Sequence, residues 1–412
     1  MKFKNKQDYK YKYLILGAGP AGLSFAMRLM QNGEDDFILI EAEDDAGGLC
    51  RSREVDGYPL DIGGGHFLDT KRPEVNKFLF DFMPEREWNL FERDSRISIN
   101  GREISHPFES NIWQFEIDQQ IEYLKSIAYA GCNIGKPMPA GFVEWISWKL
   151  GYKIANDYMM PYNRKMFGQN LNDLGTYWLD KLPNVSLEDT LRACLSKKAV
   201  GTQPGHAIFY YPKNYGYGEV WRRIAERISE HILYGVKICG INFESNSVVS
   251  RSGRTYSADK IITTIPWNEF DNIEGASVSL VNDIRELKHT SVCIEYYGED
   301  LKTSAHWIYY PDENLSYHRI LVRNSFCKGK GYWTETNTDR VGMSKKQGKY
   351  RYTNIYAYPL NTKNKRENMK RILDYSELHH IYGLGRWGEH QHYNSDVVVE
   401  RALTLADKFA KT

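Results

Sequence analysis

The sequence predicts an α/β protein: a parallel β-α-β unit at the N-terminus, a helical insertion, and a mainly antiparallel sheet in the second half. Three observations predict it. A short apolar run, Tyr13 to Leu16, meets Gly17, Gly19 and Gly22 at G-x-G-x-x-G spacing. A second apolar run, Phe37 to Ile40, ends in Glu41. Between Ser291 and Tyr358, aromatic and β-branched residues recur in short alternating runs, the pattern of strands with one buried face.

The first unit reads as a strand, a tight turn and a helix, and its chemistry is that of a dinucleotide site. Gly17 permits the turn, Gly19 lets a pyrophosphate approach the backbone, and Gly22 lets the helix Ala21 to Met30 pack on the sheet. Pro20 and Ala21 open that helix, whose free N–H groups and dipole favour an anion. Glu41, followed by Ala42, stands about twenty residues after the glycines, where a carboxylate accepts ribose hydroxyls.

Beyond this unit, Pro73 opens a helix that Pro84 stops. Ile97, Ile99 and Ile104 alternate across Asn100-Gly101, a strong hairpin signal. Helices are expected over 119–128 and over 142–160, the second interrupted by Pro161. Residues 207–211 read as extended, 219–228 as a helix, and 236–241, 247–250, 255–258 and 260–265 as strands. Strands follow at 291–297, 306–310, 318–322 and 353–358. The Gly-, Lys-, Thr- and Asn-rich stretch 328–349 reads as a loop, and a helix from about Asp396 closes the chain.

Composition narrows the classes of function. A chain of 412 residues divides into about two or three domains. With 54 Lys+Arg against 53 Asp+Glu there is no broad basic face for nucleic acid. The 6 cysteines lie apart without C-x-x-C pairs, which argues against a zinc site or a disulfide scaffold and suits the cytoplasm. No apolar stretch reaches the length of a membrane span, so a soluble protein with no membrane insertion is expected. The 29 tyrosines and 10 tryptophans can line a ligand groove or pack a core.

A second glycine-rich segment follows Glu41: Gly47-Gly48-Leu49-Cys50-Arg51, then Leu60-Asp61-Ile62-Gly63-Gly64-Gly65-His66. With it the chain resembles the amine oxidase and protoporphyrinogen oxidase superfamily, flavoproteins with a Rossmann-like FAD-binding fold of glutathione-reductase type. Further motifs are similar to the flavin-dependent UDP-galactopyranose mutases, the eukaryotic type more than the short bacterial one. These are GGGHF from Gly63, RISINGREISHPFESNI from Arg96, MPYNRKMFG from Met160, FYYPKNYGYGEVW from Phe209, HWIYYPDENLSYHRILVRNSF from His306 and GLGRWGEHQHYNSD from Gly383. The resemblance implies an FAD-binding domain over 1–95, 206–265 and 376–412, a hairpin segment over 96–115, a helical insertion over 116–205 and an antiparallel substrate domain over 266–375.

It also implies an activity. In that family N5 of reduced FAD attacks the anomeric carbon of a nucleotide sugar, UDP leaves, the sugar ring opens and closes through a different hydroxyl, and UDP returns. The implied cofactor is reduced FAD, with NADPH or NADH as electron donor. The implied FAD contacts are Gly17, Gly19, Pro20, Ala21, Gly22, Glu41, Ala42, Gly48, Leu49, Gly64, Gly65, His66, Val236, Gly385, Arg386, Asn394 and Ser395. His66 matches the histidine that faces the isoalloxazine ring, and Arg386 the arginine beside flavin and substrate. Arg319 matches the diphosphate-binding arginine, with Tyr317 and Asn163 as further pocket residues. Two departures touch the nucleotide-sugar end. Lys181 stands where the family places a second arginine, and His390 and His392, with Tyr393 beside them, stand where it places tyrosines. Lysine lacks the bidentate fork of arginine. A different nucleotide sugar therefore stays open, as do two other classes: an amine oxidase or desaturase, and a flavin-bearing structural or regulatory protein. The sequence leaves the oligomeric state open.

Overall fold

The computed structural model describes residues 10–131, 133, 135–168, 170–179, 185–201, 205–344 and 346–411. Strand Lys10–Leu16 lies parallel to Phe37–Ile40 on one side and to Thr255–Thr263 on the other, with helix Pro20–Gln31 as the crossover. This is the core of an eight-stranded sheet, which Ile381–Gly383 also joins, parallel to Thr255–Thr263. Strands buried on both faces must be apolar throughout. Accordingly Leu14, Leu16, Ile38 and Ile40 pack with Leu280, Ile284, Met369 and Ile372. On the other face Tyr13, Ile15, Phe37 and Leu39 pack with Phe25 and with Ala402, Ala406 and Phe409 of the last helix, Ser395–Ala410. The stretch expected as two strands, 255–258 and 260–265, is one, because Ser257 pairs with both Ser247 and Lys10 and so joins the antiparallel meander to the parallel strands.

The second sheet has seven strands, in the order Tyr350–Pro359, His289–Tyr297, Tyr332–Asn337, Arg319–Val322, Trp307–Tyr309, Ser95–Ile99, Arg102–Ser105. Every neighbouring pair is antiparallel except Trp307–Tyr309 with Ser95–Ile99. The hairpin turn has φ 52° at Asn100 and 74° at Gly101, the left-handed geometry that an Asn-Gly pair accommodates.

Two local expectations are corrected. Residues 328–349 are not a loop throughout: Tyr332–Asn337 is an interior strand of this sheet, with Trp333 and Glu335 buried. Its polar residues are buried on both faces, and one of them, Glu335, meets the glycine turn at Gly64 and Gly65. Nor does Pro161 break a helix. The helical run continues through it: a π-helical turn, Ala155–Met159, changes the ladder just before the proline, where its N–H is missing, and Met160–Phe167 follows without a gap. The break falls at Gly151, with φ 73°, where a Cβ would come within 2.2 Å of the Ser126 carbonyl oxygen on helix Ile117–Gly131. Among the described residues no helix is long and apolar enough to cross a membrane.

Candidate active site

A cavity of about 360 Å³ opens at the carboxyl ends of the parallel strands. One end is lined by Gly17, Gly19, Pro20, Ala21, Glu41, Ala42, Gly48, Leu49 and Val236, the other by His66, Arg386, Tyr393 and Ser395. The glycines are there because backbone meets backbone. A Cβ on Gly22 would lie 2.0 Å from the Gly17 carbonyl oxygen, and one on Gly48 would lie 3.1 Å from the Gly19 Cα. The Gly47 N–H donates to the Ala18 carbonyl at 2.8 Å, tying the two glycine turns together. Arg51 pins the second turn, donating from Nε to the Gly48 carbonyl and from Nη1 to Asp45.

Glu41 accepts N–H groups from Ala18 at 2.7 Å and from Glu43 at 2.9 Å. Burial pushes its carboxyl pKa up, while those donors hold it down. Each oxygen keeps a lone pair for a ribose hydroxyl. The first N–H groups of helix Pro20–Gln31 lack intrahelical acceptors, as in any helix. Glycine cradle, acidic ribose acceptor and helix terminus together fit FAD.

At the far end, Arg386 donates to the Tyr393 carbonyl from Nε and Nη2 and to the Ala357 carbonyl from Nη1. Its partners are neutral carbonyls, so its charge is available to an anion in the cavity; burial lowers its pKa, opposed by Tyr358 and Cys50. His66 contacts the Gly64 carbonyl through Nδ1 at 3.2 Å and stacks toward Tyr217. Burial, with Arg386 nearby, takes its pKa down to about 3, so the ring is neutral at working pH.

Behind the glycine turn stands a residue that the sequence reading missed. Glu335, 1 % exposed, receives Arg319 Nε and Nη2 at 2.8 Å each and the Gly65 N–H at 3.1 Å. His318 Nε2 lies 3.5 Å away. Burial raises the Glu335 pKa, and Arg319 and His318 overcome that and hold it down at about 2. A Cβ on Gly64 would reach 2.5 Å from Glu335 Oε1, so the glycines of this turn make room for the ion pair. The alternation Y-W-T-E-T-N over 332–337 was the available signal, masked by its polar flanks. Tyr358 feels both Arg319 and Arg386, and burial with Glu335 raises its hydroxyl pKa to about 12. Tyr162 and Tyr309 also lie in the field of Arg319.

The other residues singled out from sequence divide. Gly385 has φ 77° and lies against Ala21, where a Cβ would approach to 2.7 Å. Asn394 precedes the last helix, and the Ser395 hydroxyl bonds that of Tyr217. Asn163 is buried, its Nδ2 donating to the Met159 carbonyl. The Tyr317 ring packs on Tyr310, and that of His392 on Tyr358. His390 is not at the cavity: it is fully buried, with Nε2 on the Lys288 carbonyl at 3.0 Å. Lys181 lies outside the described residues.

Comparison with known proteins agrees with this architecture. A crystal structure of reduced UDP-galactopyranose mutase superposes with a TM-score of 0.86 at 21% identity, over 98% of this chain and 94% of that one. Cyclohexylamine oxidase from Brevibacterium oxydans superposes with a TM-score of 0.67 at 13% identity, over 98% and 99%. These likenesses show the fold. A coproporphyrinogen III oxidase of Mycobacterium tuberculosis is 33% identical over 98 residues, 23% of this chain and 21% of that protein. The chain spans at most about half the length of the curated relatives it first matches. The family model described as flavin containing amine oxidoreductase matches residues 20–294. With the FAD cradle in place beneath that match, the chain belongs to the flavin containing amine oxidoreductase family and is a flavin-dependent enzyme.

Proposed function

We propose that the chain is a nucleotide-sugar mutase interconverting pyranose and furanose forms, with UDP-galactopyranose or a close relative as substrate. The observation that carries this reading is the charge next to the flavin end of the cavity. Arg386 faces the cavity with carbonyl partners only, and the nearby carboxylate of Glu335 is already covered by Arg319. An ammonium substrate would find no counter-ion there, whereas a diphosphate would be attracted.

Reduced FAD, when bound, supplies the nucleophile for the anomeric carbon. The chain's own residues do the rest. Arg386 balances negative charge at the cavity. The Glu335 carboxylate fixes the plane of Arg319, whose remaining N–H groups are then oriented without a search through rotamers. Neutral His66 adds no charge beside the ring site and offers Nε2 for a hydrogen bond. NADPH or NADH is the proposed source of electrons, and the interconversion itself consumes none.

The test is to incubate dithionite-reduced enzyme with a panel of nucleotide sugars and follow ring form by NMR. Furanose product without stoichiometric consumption of reductant supports the mutase. A second reading, an amine oxidase or desaturase, is favoured by the family match. Oxygen consumption with an amine, and no change of ring form across the panel, would establish it instead.

A further inference from the structure

Among the described residues, no carboxylate neutralises the charge of Arg93. It lies just before strand Ser95–Ile99, at the point where the hairpin meets Trp307–Tyr309. Its Nε donates to Ser95 Oγ at 2.8 Å, and Nη1 to the Gly205 carbonyl at 2.7 Å. Its Nη2 donates to the Tyr309 hydroxyl at 3.1 Å and faces His106 Nδ1 at 3.3 Å. The guanidinium stacks over the Trp307 ring, 4.8 Å from its centroid. All of these partners are neutral. No carboxylate lies within ion-pair distance of it among the described residues, although the side chain is largely enclosed. Its neighbour Asp94 is taken by Arg96.

Arg93 also borders the ground beside Arg319. The Tyr309 hydroxyl that accepts from Arg93 belongs to a ring packed edge-on against Tyr162 at 5.4 Å, and both rings lie in the field of Arg319. Arg319 and Glu335 together are neutral. In this corner the uncompensated positive charge therefore sits on Arg93, fixed by four neutral contacts and a ring. A half-buried guanidinium without a counter-ion still carries a desolvation cost, and a structural role would be served at lower cost by a neutral donor such as glutamine.

We propose that Arg93, positioned by Tyr309 and Trp307, is the principal anion-binding residue for the substrate and takes an anionic oxygen group of the nucleotide sugar. Two groups share that chemistry: the diphosphate, and a carboxylate on the sugar. This rests on the nucleotide-sugar reading above and deepens it, by moving the anion-binding charge from Arg319 to Arg93.

Binding to full-length, FAD-loaded enzyme by calorimetry tests it, with UDP, UDP-galactose and UDP-galacturonate as probes and Arg93→Gln as the variant. If the diphosphate is held, the variant binds all three probes at least about tenfold more weakly, the loss expected of one charge-assisted hydrogen-bonding partner. If a sugar carboxylate is held, wild type prefers UDP-galacturonate to UDP-galactose by about that factor, and the variant loses the preference while binding UDP unchanged. Unaltered affinities for all three overturn the proposal and leave the mutase reading standing. A wild type that binds none of them overturns both. Should Arg93→Gln lose flavin or fold, Arg93→Met replaces it: it keeps an apolar stem over the Trp307 ring and removes the charge, and unaltered affinities in it equally overturn the proposal.

Discussion

Arg319 and Glu335 form a two-pronged ion pair across adjacent strands, Nε to Oε2 and Nη2 to Oε1, each at 2.8 Å, with the carboxylate 1 % exposed. The pair changes what substitution at Arg319 should do. From sequence alone, Arg319→Ala is a binding lesion that leaves the folded protein intact. In the structure it strands a buried carboxylate. We expect Arg319→Ala to cost about 3 kcal/mol of stability. The double variant Arg319→Ala/Glu335→Gln should recover more than half of that, because no buried charge is then left unpaired. Urea unfolding of the two variants and of Glu335→Gln gives the coupling directly.

Glu41 lines the cavity and is proposed to accept the ribose hydroxyls of FAD, an acceptor that Glu41→Ala removes. The glycine turns remain, so FAD still binds but about tenfold to a hundredfold more weakly. Fluorescence titration of apo-enzyme with FAD measures it, and an unchanged affinity would remove Glu41 from the site.

Gly22→Ala is expected to yield protein without flavin. The added methyl meets the Gly17 carbonyl oxygen at 2.0 Å, so the helix must move away from the turn proposed to hold the pyrophosphate. Gly33→Ala is the control for the same helix's far end. There φ is 84° but nothing lies within 4 Å of the new Cβ, so it strains the chain without closing the cavity and the yellow colour persists. The absorbance ratio at flavin and protein wavelengths after gel filtration separates the two.

Arg386→Met should make the flavin harder to reduce. A cation facing the cavity from neutral partners favours the added electrons, and its loss lowers the potential by about 30 mV or more, equivalent to about 1.4 kcal/mol for two electrons. Equilibration with reference dyes reads the shift; no change would mean that Arg386 only braces the Tyr393 and Ala357 backbone.

Acid should destabilise the fold well above the carboxylate range. Burial takes His66 and His390 to about 3 in the folded state, below the ordinary value of 6.5. As the pH falls below 6.5 the unfolded chain takes up protons that these rings refuse, so stability is full above 6.5 and falls steadily toward about 3. Glu335, held at about 2 against 4.5, adds a loss that begins below 4.5. Asp61, raised to about 6, opposes the trend between 6 and 3.8. Replacing His390 by Gln, which preserves a donor for the Lys288 carbonyl and lies outside the cavity, should make the decline in melting temperature between pH 6.5 and 4 shallower.

Local rules made the nucleotide-binding unit legible in the sequence. The turn at Gly17, the helix starting at Pro20 and the carboxylate at Glu41 sit within about thirty residues, where spacing alone dictates geometry. The Asn100-Gly101 hairpin was readable for the same reason, since its turn needs two residues that tolerate positive φ. What the sequence did not contain was the company each side chain keeps. Glu335 was hidden in a stretch whose polar letters look like a loop, and it becomes a strand residue only because His289–Tyr297 and Arg319–Val322 pair with it on either side. His390, which the family resemblance sets among the diphosphate contacts, turned into the core at φ 47° and found the Lys288 carbonyl. Arg93 stands between Glu92 and Asp94, and its local sequence carries no signal that sets it apart. Its neutral surroundings among the described residues exist only once Trp307–Tyr309, remote in sequence, has paired beside it. Short-range pattern fixes backbone conformation and one binding turn. Charge balance is a sum over neighbours drawn from the whole chain, and only the folded arrangement of the sheets decides it.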